Sequence, residues 1–262
     1  MLVLKNVSTE AHDHTALHDI SLVIHPGELV CIVGKSRSGK SMLLSVLAGL
    51  QQPSGGSIEV DGIALKSIPP MALRLLRRKV GIVPQSGQLI AHLTVQENVA
   101  LPLEVTGAPD AIIMRRIPEL LRRLHLLSRK DSLPASLTIF EKVQVALARA
   151  IALPPMILLA DEPLSDLDRS DAAEIAMILR EIHLEGPTVI VTTRDPTLPS
   201  LLGCRAIHLA NGTITSDSGS PSPSSVPPPV MLQKSARMHG AEALSSGEGV
   251  KRRKVHITAI NS

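Results

Sequence analysis

Aromatic residues are almost missing from this chain of 262 residues. It has no tryptophan and no tyrosine, and Phe140 is its one phenylalanine. Leucine, isoleucine, valine, alanine and methionine must therefore supply most of any core, and the 44% of residues that are hydrophobic are enough to build one. Aromatic side chains commonly stack on nucleic-acid bases, so their scarcity nearly excludes an aromatic stack on a ligand base.

Long apolar runs are missing as well. The longest uncharged candidate, Ala150 to Ala160, contains two prolines and falls short of the ~18 residues expected of a spanning helix. The first residues, MLVLKNVSTE, show no basic segment followed by an apolar stretch, so we expect no signal peptide. A function at a membrane would need another subunit to supply the span.

Most of the sequence has no excess of either positive or negative charge. Residues 1–212 contain 21 basic and 21 acidic side chains, and residues 213–262 contain six basic and three acidic ones. The net charge of +3 therefore belongs to the tail, where Lys251 to Lys254 form a basic run. A nucleic-acid-binding domain should show a basic face within its fold, so we expect no nucleic-acid partner. We interpret the basic run as a solvated patch, with lipid headgroups or a nuclear-import signal as alternatives.

Cysteine is scarce, with Cys31 and Cys204 the two representatives. Both lie in apolar, strand-like segments that are far apart in the sequence. We expect two buried free thiols, as in a reducing cytosol, and keep a disulfide as the alternative.

Short apolar segments separated by turn residues predict an α/β fold. Asp61-Gly62 and Asn211-Gly212 each separate two such segments and predict tight hairpins. From about Thr94 to Ala150 the apolar spacing becomes helical. The predicted strands are Leu2 to Val7, Ile20 to Ile24, Leu29 to Val33, Ser57 to Val60, Val80 to Val83, Met156 to Leu159, Thr188 to Thr192 and Arg205 to Ala210.

The composition changes after about residue 216, where the segment SDSGSPSPSSVPPPV is rich in serine and proline. Such a segment cannot bury a core. We therefore predict a folded domain at residues 1–215, with a helical subdomain at about residues 87–150. Residues 216–262 are predicted to be a disordered tail.

A phosphate-binding loop is the strongest local pattern. The segment Gly34-Lys35-Ser36-Arg37-Ser38-Gly39-Lys40-Ser41 fits G-x-x-x-x-G-K-[ST] and is followed by an apolar helix from Met42. Such a loop turns its backbone N–H groups toward phosphates, at the positive end of the next helix. Lys40 would neutralise the β- and γ-phosphates, and the Ser41 hydroxyl would bind Mg²⁺.

A pair of acids is the second pattern. Asp161 and Glu162 follow the apolar strand MILLA, which delivers their carboxylates to the carboxyl edge of a sheet, where open α/β folds bind ligands. Asp161 would hold Mg²⁺ through water. Glu162 would orient or deprotonate an attacking water molecule.

Residues 1–215 resemble the ATP-binding cassette (ABC) ATPases. LVCIVGKSRSGKS resembles the family's Walker A segment, MILLADEP its Walker B segment, and LSDLD at residues 164–168 its D-loop. VGIVPQSGQLIAHLTVQENVALPL resembles the Q-loop region, which places the loop glutamine at Gln85. The resemblance implies a P-loop NTPase fold, with a RecA-like core, an antiparallel β edge and a helical subdomain. Residues 80–107 most resemble the branch that serves cell-division, lipoprotein-release and lipid-trafficking complexes.

The resemblance also implies a set of site residues. ATP and Mg²⁺ are the expected cofactors, with Lys40, Gln85 and Glu162 as catalytic residues. The expected metal ligands are Ser41, Gln85 and Asp161. The expected nucleotide-binding residues are Gly34, Lys35, Ser36, Arg37, Ser38, Gly39, Lys40, Ser41, Met42, Gln85 and Asp161.

Several positions depart from the family pattern. The family signature LSGGQ aligns with residues 137–141, LTIFE, where bulky side chains replace glycines. Arg194 stands where the family has its switch histidine, and Arg37 where glycine is usual. The family's adenine-stacking aromatic falls near Ala11. We interpret His12 and His14 as solvated loop histidines, with stacking on adenine by one of them as the alternative.

These features lead to three hypotheses about function. The first is an ATP-binding and slowly hydrolysing energy-coupling subunit, working as a homodimer or heterodimer of ATPase subunits on the cytoplasmic face of the membrane. An integral membrane subunit would dock near Gln85 to Leu93, at Leu89, Ile90, His92 and Leu93. The second is a pseudo-ATPase that regulates a partner by binding nucleotide alone. The third, a soluble family member acting on DNA or ribosomes, is disfavoured by the neutral folded part.

Overall fold

The computed structural model describes residues 1–10 and 16–219. In these residues the strands are β1 (Leu2–Ser8), β2 (Ile20–Ile24), β3 (Leu29–Val33), β4 (Gly55–Val60), β5 (Ile63–Ala64), β6 (Val80–Val83), β7 (Ile157–Ala160), β8 (Thr188–Thr193), β9 (Arg205–Ala210) and β10 (Thr213–Asp217). The helices are α1 (Lys40–Leu47), α2 (Pro70–Arg77), α3 (Val95–Val105), α4 (Asp110–Arg123), α5 (Ile139–Ala150), α6 (Arg169–Leu184) and α7 (Leu198–Leu202).

The larger sheet has the strand order β10-β9-β3-β8-β7-β6. The strands from β9 to β6 are parallel to one another, and β10 runs antiparallel to β9 at the edge. Every residue of β3 and of β8 is buried, as expected for parallel strands that are covered on both faces. The carboxyl ends of β3, β7 and β8 therefore lie side by side at one edge.

The smaller sheet is antiparallel, with the order β2-β1-β4-β5. Its β4–β5 turn has positive φ at Asp61 (49°) and Gly62 (79°), and the β9–β10 turn of the larger sheet has the same pattern at Asn211 (49°) and Gly212 (76°). Two consecutive positive φ values are the mark of a type I′ turn, which Asn-Gly and Asp-Gly favour. Both predicted hairpins are confirmed.

Two hydrophobic cores lie on opposite faces of the larger sheet, and successive side chains of β3 point alternately into one and the other. Leu29, Cys31 and Val33 pack with the helices α3 to α7. Val30 and Ile32 face the opposite way, toward α1 and the antiparallel sheet. The antiparallel sheet, α1, the larger sheet and the helices α3 to α7 thus form successive layers, and the predicted α/β class with an antiparallel β edge is confirmed.

The helices α3, α4 and α5 lie between β6 and β7 in the chain. Their bounds fall within the region that we predict to be a helical subdomain. No helix in residues 1–10 and 16–219 is both long enough and apolar enough to cross a bilayer. Residues Ala11, His12 and His14, near the position of the family's adenine-stacking aromatic, lie outside the described residues, as does nearly all of the predicted tail.

Candidate functional site

The loop between β3 and α1 is shaped by two glycines. A Cβ on Gly34 would lie 2.4 Å from the carbonyl oxygen of Leu209 and from Ser38 Oγ, so this position admits no side chain. Gly39 has a φ of +106°, which glycine adopts without strain, and it immediately precedes α1. Arg37 adopts a φ of +62° where the family has glycine, so the loop accommodates arginine at some backbone cost.

Lys40 lies beneath this loop. Its side chain is 3% exposed, and its Nζ donates hydrogen bonds to the carbonyl oxygens of Gly34 and Lys35, both at 2.7 Å. These two bonds close the loop around the ammonium group. Ser38 Oγ is buried without a hydrogen-bond partner, which leaves a polar group inside the loop for a ligand to satisfy.

The β9–β10 turn supports the loop from the other side. The N–H of Gly212 donates to the carbonyl oxygen of Ser38 at 2.9 Å, and the carbonyl oxygen of Gly212 accepts from the N–H of His18 at 2.9 Å. Sequence reasoning identifies Asn211-Gly212 as a turn but not as a support of the phosphate loop. Nothing local in the sequence signals this contact, because the strand order alone brings the two segments together.

The acidic pair is positioned by one threonine. Thr192 in β8 is fully buried, and its hydroxyl donates to Asp161 Oδ1 at 2.6 Å and accepts from the N–H of Glu162 at 2.8 Å. Glu162 adopts a φ of +42° directly after β7, which turns its side chain out of the strand direction. Sequence reasoning missed Thr192, whose one signal is its place at the end of a neighbouring parallel strand.

Three charged side chains meet above the strands. Glu162 is 7% exposed, and its Oε1 lies 3.2 Å from Lys40 Nζ. Its Oε2 lies 2.6 Å from Nε of Arg194, whose side chain is half exposed. A carboxylate this buried needs compensating charge, and here two cations supply it. Arg194 is therefore a direct partner of Glu162.

A cleft of about 470 Å³ opens over these groups. Of the predicted site residues, Gly34, Lys35, Ser38 and Asp161 do not line it. Gly34 and Ser38 instead shape the loop, and Asp161 lies beside Glu162 on Thr192. The cleft is lined by Ser36, Arg37, Gly39, Lys40, Ser41, Met42, Ser45, Gln51, Gln85, Glu162 and Arg194.

The loop that follows Gln85 has a fixed path. Asn98 in α3 is fully buried; its Oδ1 accepts from the N–H of Ile90 at 2.8 Å, and its Nδ2 donates to the carbonyl oxygens of Ile90 and Leu93. Arg149 in α5 donates to the carbonyl oxygen of Gln88 at 2.7 Å. Helices α3 and α5 thus hold the segment that begins at the cleft, and neither residue was predicted to do so.

The start of α5 carries the segment that aligns with the family signature. Thr138 and Glu141 form a capping box, in which each side chain accepts a hydrogen bond from the other residue's N–H. Glu141 also pairs with Arg129 at 2.8 Å, and the Ile139 side chain is exposed. Two of the N–H groups at this helix start are therefore bonded within the chain. The D-loop residue Asp168 likewise caps α6, and its hydrogen bonds with the Asp171 N–H and the Ser170 hydroxyl hold the pKa of its carboxyl below the usual value.

The donor set suits a magnesium nucleotide. The unpartnered Ser38 hydroxyl, the buried ammonium of Lys40 and the glycine cradle at Gly34 fit a phosphate group. Ser41, Gln85 and Asp161 offer the oxygen ligands that Mg²⁺ prefers. A phosphate loop after a buried parallel strand, with acids at the end of a neighbouring strand, defines a P-loop nucleotide-binding domain.

Comparison with known proteins gives the family. Residues 17–165 match the family model described as ABC transporter. The macrolide export ATP-binding/permease protein MacB of Rhodospirillum rubrum is 37% identical over 237 residues, which cover 90% of this chain and 36% of that protein. The methionine import ATP-binding protein MetN of Nocardia farcinica is 37% identical over 213 residues, covering 81% of this chain and 64% of that protein.

A solved structure agrees with the fold. A dimeric ATP-binding cassette in a post-hydrolysis state, bound to ADP and Pi, superposes with a TM-score of 0.75 at 32% identity, covering 83% of this chain and 98% of the other. The chain belongs to the ABC transporter family, and the predicted P-loop NTPase fold is confirmed. It spans about one to two thirds of the length of the curated relatives named above.

Proposed function

We propose that the chain binds Mg-ATP in this cleft and hydrolyses it as the energy-coupling subunit of a membrane transport complex. The observation that carries the proposal is the convergence of Lys40 and Arg194 on Glu162 beside the phosphate loop. The cleft combines a closed anion cradle, two cations and one buried carboxylate, which are the groups that phosphoryl transfer requires.

Each side chain has a distinct role in this proposal. Bound Mg-ATP supplies the phosphoanhydride bond that is broken. Lys40 would neutralise phosphate charge, while Ser41, Gln85 and Asp161 would hold the metal through oxygen atoms. Glu162 accepts a proton from water, and its Thr192-bonded backbone N–H keeps the carboxylate at one place in the cleft.

Arg194 holds Glu162 before nucleotide binds. Glu162 Oε2 lies 2.6 Å from Arg194 Nε and its Oε1 lies 3.2 Å from Lys40 Nζ, so both carboxylate oxygens face a cation before phosphate arrives. Phosphate charge entering the cleft competes with Glu162 for Lys40 and Arg194. We expect Arg194 to turn toward that charge and release the carboxylate, so that Glu162 can contact a water molecule when the cleft is filled.

The relatives support a dimer that works with a membrane partner. The solved cassette is dimeric, and MacB is by name both an ATP-binding protein and a permease. We propose that this chain also dimerises and lies on the cytoplasmic face of the membrane, against an integral subunit. The partner in this dimer is a second copy of the chain or a different ATPase subunit.

The docking surface is proposed at the loop Gln85 to Leu93. Leu89 and Ile90 are half-buried and His92 is exposed, whereas Leu93 is buried beside the Asn98 anchor. Leu93 therefore supports the loop, and the surface offered to a partner consists of the three other predicted side chains. Replacing Leu89, Ile90 and His92 by alanine should leave ATP binding intact and abolish co-purification with the membrane subunit; unchanged co-purification would contradict this docking site.

Binding is tested with Lys40→Ala. Loss of the buried ammonium removes the closure of the loop and the phosphate charge partner, so we expect a fluorescent ATP analogue to bind at least about tenfold more weakly, a change of roughly 1.4 kcal/mol. Lys66→Ala removes an exposed lysine away from the cleft and should bind as the unmodified chain does. Equal affinity of both variants would mean that nucleotide binds elsewhere.

The predicted pseudo-ATPase gains no support from the described residues. Lys40, Gln85, Glu162 and Ser41 line one cleft, and Asp161 is bonded to the same threonine as Glu162. The resemblance to the branch that serves cell division, lipoprotein release and lipid trafficking stays a prediction, as does the domain boundary at residue 215.

A further inference from the structure

The two cysteines lie in direct contact, although 173 positions separate them in the sequence. The Cys204 thiol donates to Cys31 Sγ at 3.1 Å. This distance is only about 1 Å longer than the S–S bond of a disulfide. Both residues are free thiols in the structure. The prediction of two buried free thiols is correct for Cys31 and wrong for Cys204, which is half-buried. The alternative, a disulfide, requires only a small movement of the two sulfurs.

The fold explains why the two thiols meet. Cys31 is at the centre of β3, fully buried, with its side chain on the helical side of the sheet. Cys204 follows Gly203, whose positive φ of 63° ends α7 and turns the chain toward β9. Since β9 pairs with β3 in parallel, with Ala206 opposite Cys31, the residue that enters β9 comes close to the centre of β3.

We propose that Cys31 and Cys204 form an oxidisable dithiol, which a peroxide converts into an intramolecular disulfide within the folded protein. Neither thiol has a role in the nucleotide cleft, and Cys204 is partly exposed while Cys31 is not. The site therefore has an entry point for the oxidant and a second sulfur placed directly behind it. This proposal is independent of the proposed ATPase function.

The chemistry proceeds in two balanced steps. The Cys204 sulfur attacks the O–O bond of hydrogen peroxide, giving a sulfenic acid and one water molecule. The Cys31 sulfur then attacks the Cys204 sulfur; the S–S bond forms, the S–O bond breaks, and the thiol proton leaves with the hydroxyl group as a second water molecule. The two thiols are oxidised by two electrons, and peroxide is reduced to water.

The order of the two steps follows from the environment of each thiol. The hydrogen bond with Cys204, together with burial, raises the pKa of Cys31 well above the usual range for a thiol. Because the thiolate is the nucleophile, Cys31 is protected from direct oxidation. Cys204, at the surface side of the pair, reacts first, and Cys31 serves as the resolving thiol.

The disulfide would join two segments that border the cleft. Three residues after Cys31 the chain enters the phosphate loop at Gly34, and Cys204 ends the segment that begins after β8 with Arg194. The bond would close a loop of more than 170 residues in the unfolded chain, which stabilises the folded state by lowering the entropy of the unfolded one.

The experiment uses the whole chain, treated with hydrogen peroxide under native conditions and then alkylated in denaturant for mass analysis. We expect a species that has lost two hydrogen atoms, takes up no alkylating reagent, migrates as a monomer, and regains both thiols with a reductant. Peptide mapping should join Cys31 to Cys204, and the oxidised chain should unfold at a temperature higher by several degrees.

Two variants serve as controls. Cys204→Ser should leave Cys31 as an unmodified thiol after the same treatment, and Cys31→Ala should stop the reaction at an oxidised Cys204 that a small external thiol can cap. A disulfide between two chains, oxidation of Cys204 with Cys31 left free in the unmodified chain, or a lower unfolding temperature on oxidation would each overturn the proposal.

Discussion

Thr192 shows how a single hydroxyl can hold two neighbouring acidic residues. It is fully buried, donates to Asp161 at 2.6 Å and accepts from the Glu162 N–H at 2.8 Å. Both acids follow β7, and the hydroxyl comes from the neighbouring β8, so the parallel pairing of these strands places all three. The positions of the proposed metal ligand and of the proposed base are therefore linked.

Thr192→Val tests whether the Thr192 hydroxyl links the positions of Asp161 and Glu162, because valine has nearly the same shape as threonine. Valine removes the donor and the acceptor together, leaving the Glu162 N–H and Asp161 Oδ1 without that partner. We expect a loss of about 1–3 kcal/mol of unfolding free energy, measured with urea, and slower ATP hydrolysis. Thr215→Val, at an exposed position of β10, should change stability by less than about 0.5 kcal/mol. Equal effects of the two variants would contradict the role given to Thr192.

Arg194 illustrates a different kind of residue, one whose position could be predicted and whose contact could not. The resemblance to the family places it at the switch position, which suggests a contact with phosphate. The structure instead pairs it with Glu162. In the proposed function, phosphate charge in the cleft would compete with Glu162 for this arginine.

At the scale of elements, the phosphate loop depends on a turn from the far edge of the same sheet. Gly212, in the β9–β10 turn, donates to the carbonyl oxygen of Ser38. Gly212→Ala would bring a Cβ to 2.1 Å from the Ala16 carbonyl oxygen, at a φ of +76°. We expect this variant to displace the turn and to weaken ATP binding by roughly tenfold, as measured by titration with a fluorescent analogue.

Gly62→Ala is the matched control for that prediction. Gly62 has a φ of +79° in the same type of turn, and a Cβ there would meet nothing within 4 Å. This variant bears only the backbone strain, about 1–2 kcal/mol of stability, with unchanged ATP affinity. If the two variants bound ATP equally well, the turn would not support the loop.

The elements also show how far sequence reasoning reaches. The two hairpins, the phosphate loop and the acidic pair have local signals, because particular residue types are needed at adjacent positions. The contacts between Gly212 and Ser38, Thr192 and Asp161, and Cys31 and Cys204 have none. They follow from the order β10-β9-β3-β8-β7-β6, which depends on the packing of the whole chain. The capping box at Thr138 also has a local signal, the Thr-x-x-Glu spacing, although it was not predicted.

At the scale of the whole molecule, Arg205 connects the two sheets. Its guanidinium is buried and donates to Asp217 in β10 at 2.8 Å, to Glu28 before β3 at 3.0 Å, and to the carbonyl oxygen of Val23 in β2 at 2.9 Å. The hydrogen bond with Arg205 lowers the pKa of Asp217 from its usual value. This network joins the antiparallel sheet to the edge of the parallel one.

The lowered pKa of Asp217 predicts a dependence of stability on pH. Since the pKa is lower in the folded chain than in the unfolded chain, the stabilisation is present above the ordinary aspartate value of about 4 and is lost as the pH falls below it. Asp217→Asn should therefore reduce the unfolding free energy at pH 7 by about 1 kcal/mol. The difference from the unmodified chain should shrink in acid; a constant difference between pH 7 and pH 3 would contradict the assignment.

The most direct test of the account is ATP hydrolysis by the purified chain, compared with that of Glu162→Gln. We expect Mg²⁺-dependent turnover that falls at least about a hundredfold in the variant, because it lacks the base, while the fluorescent ATP analogue still binds. Glu119→Gln, an exposed change on α4, should hydrolyse ATP at the unmodified rate. Turnover that survives Glu162→Gln would contradict the proposal that Glu162, held by Lys40 and Arg194, is the base of this cleft.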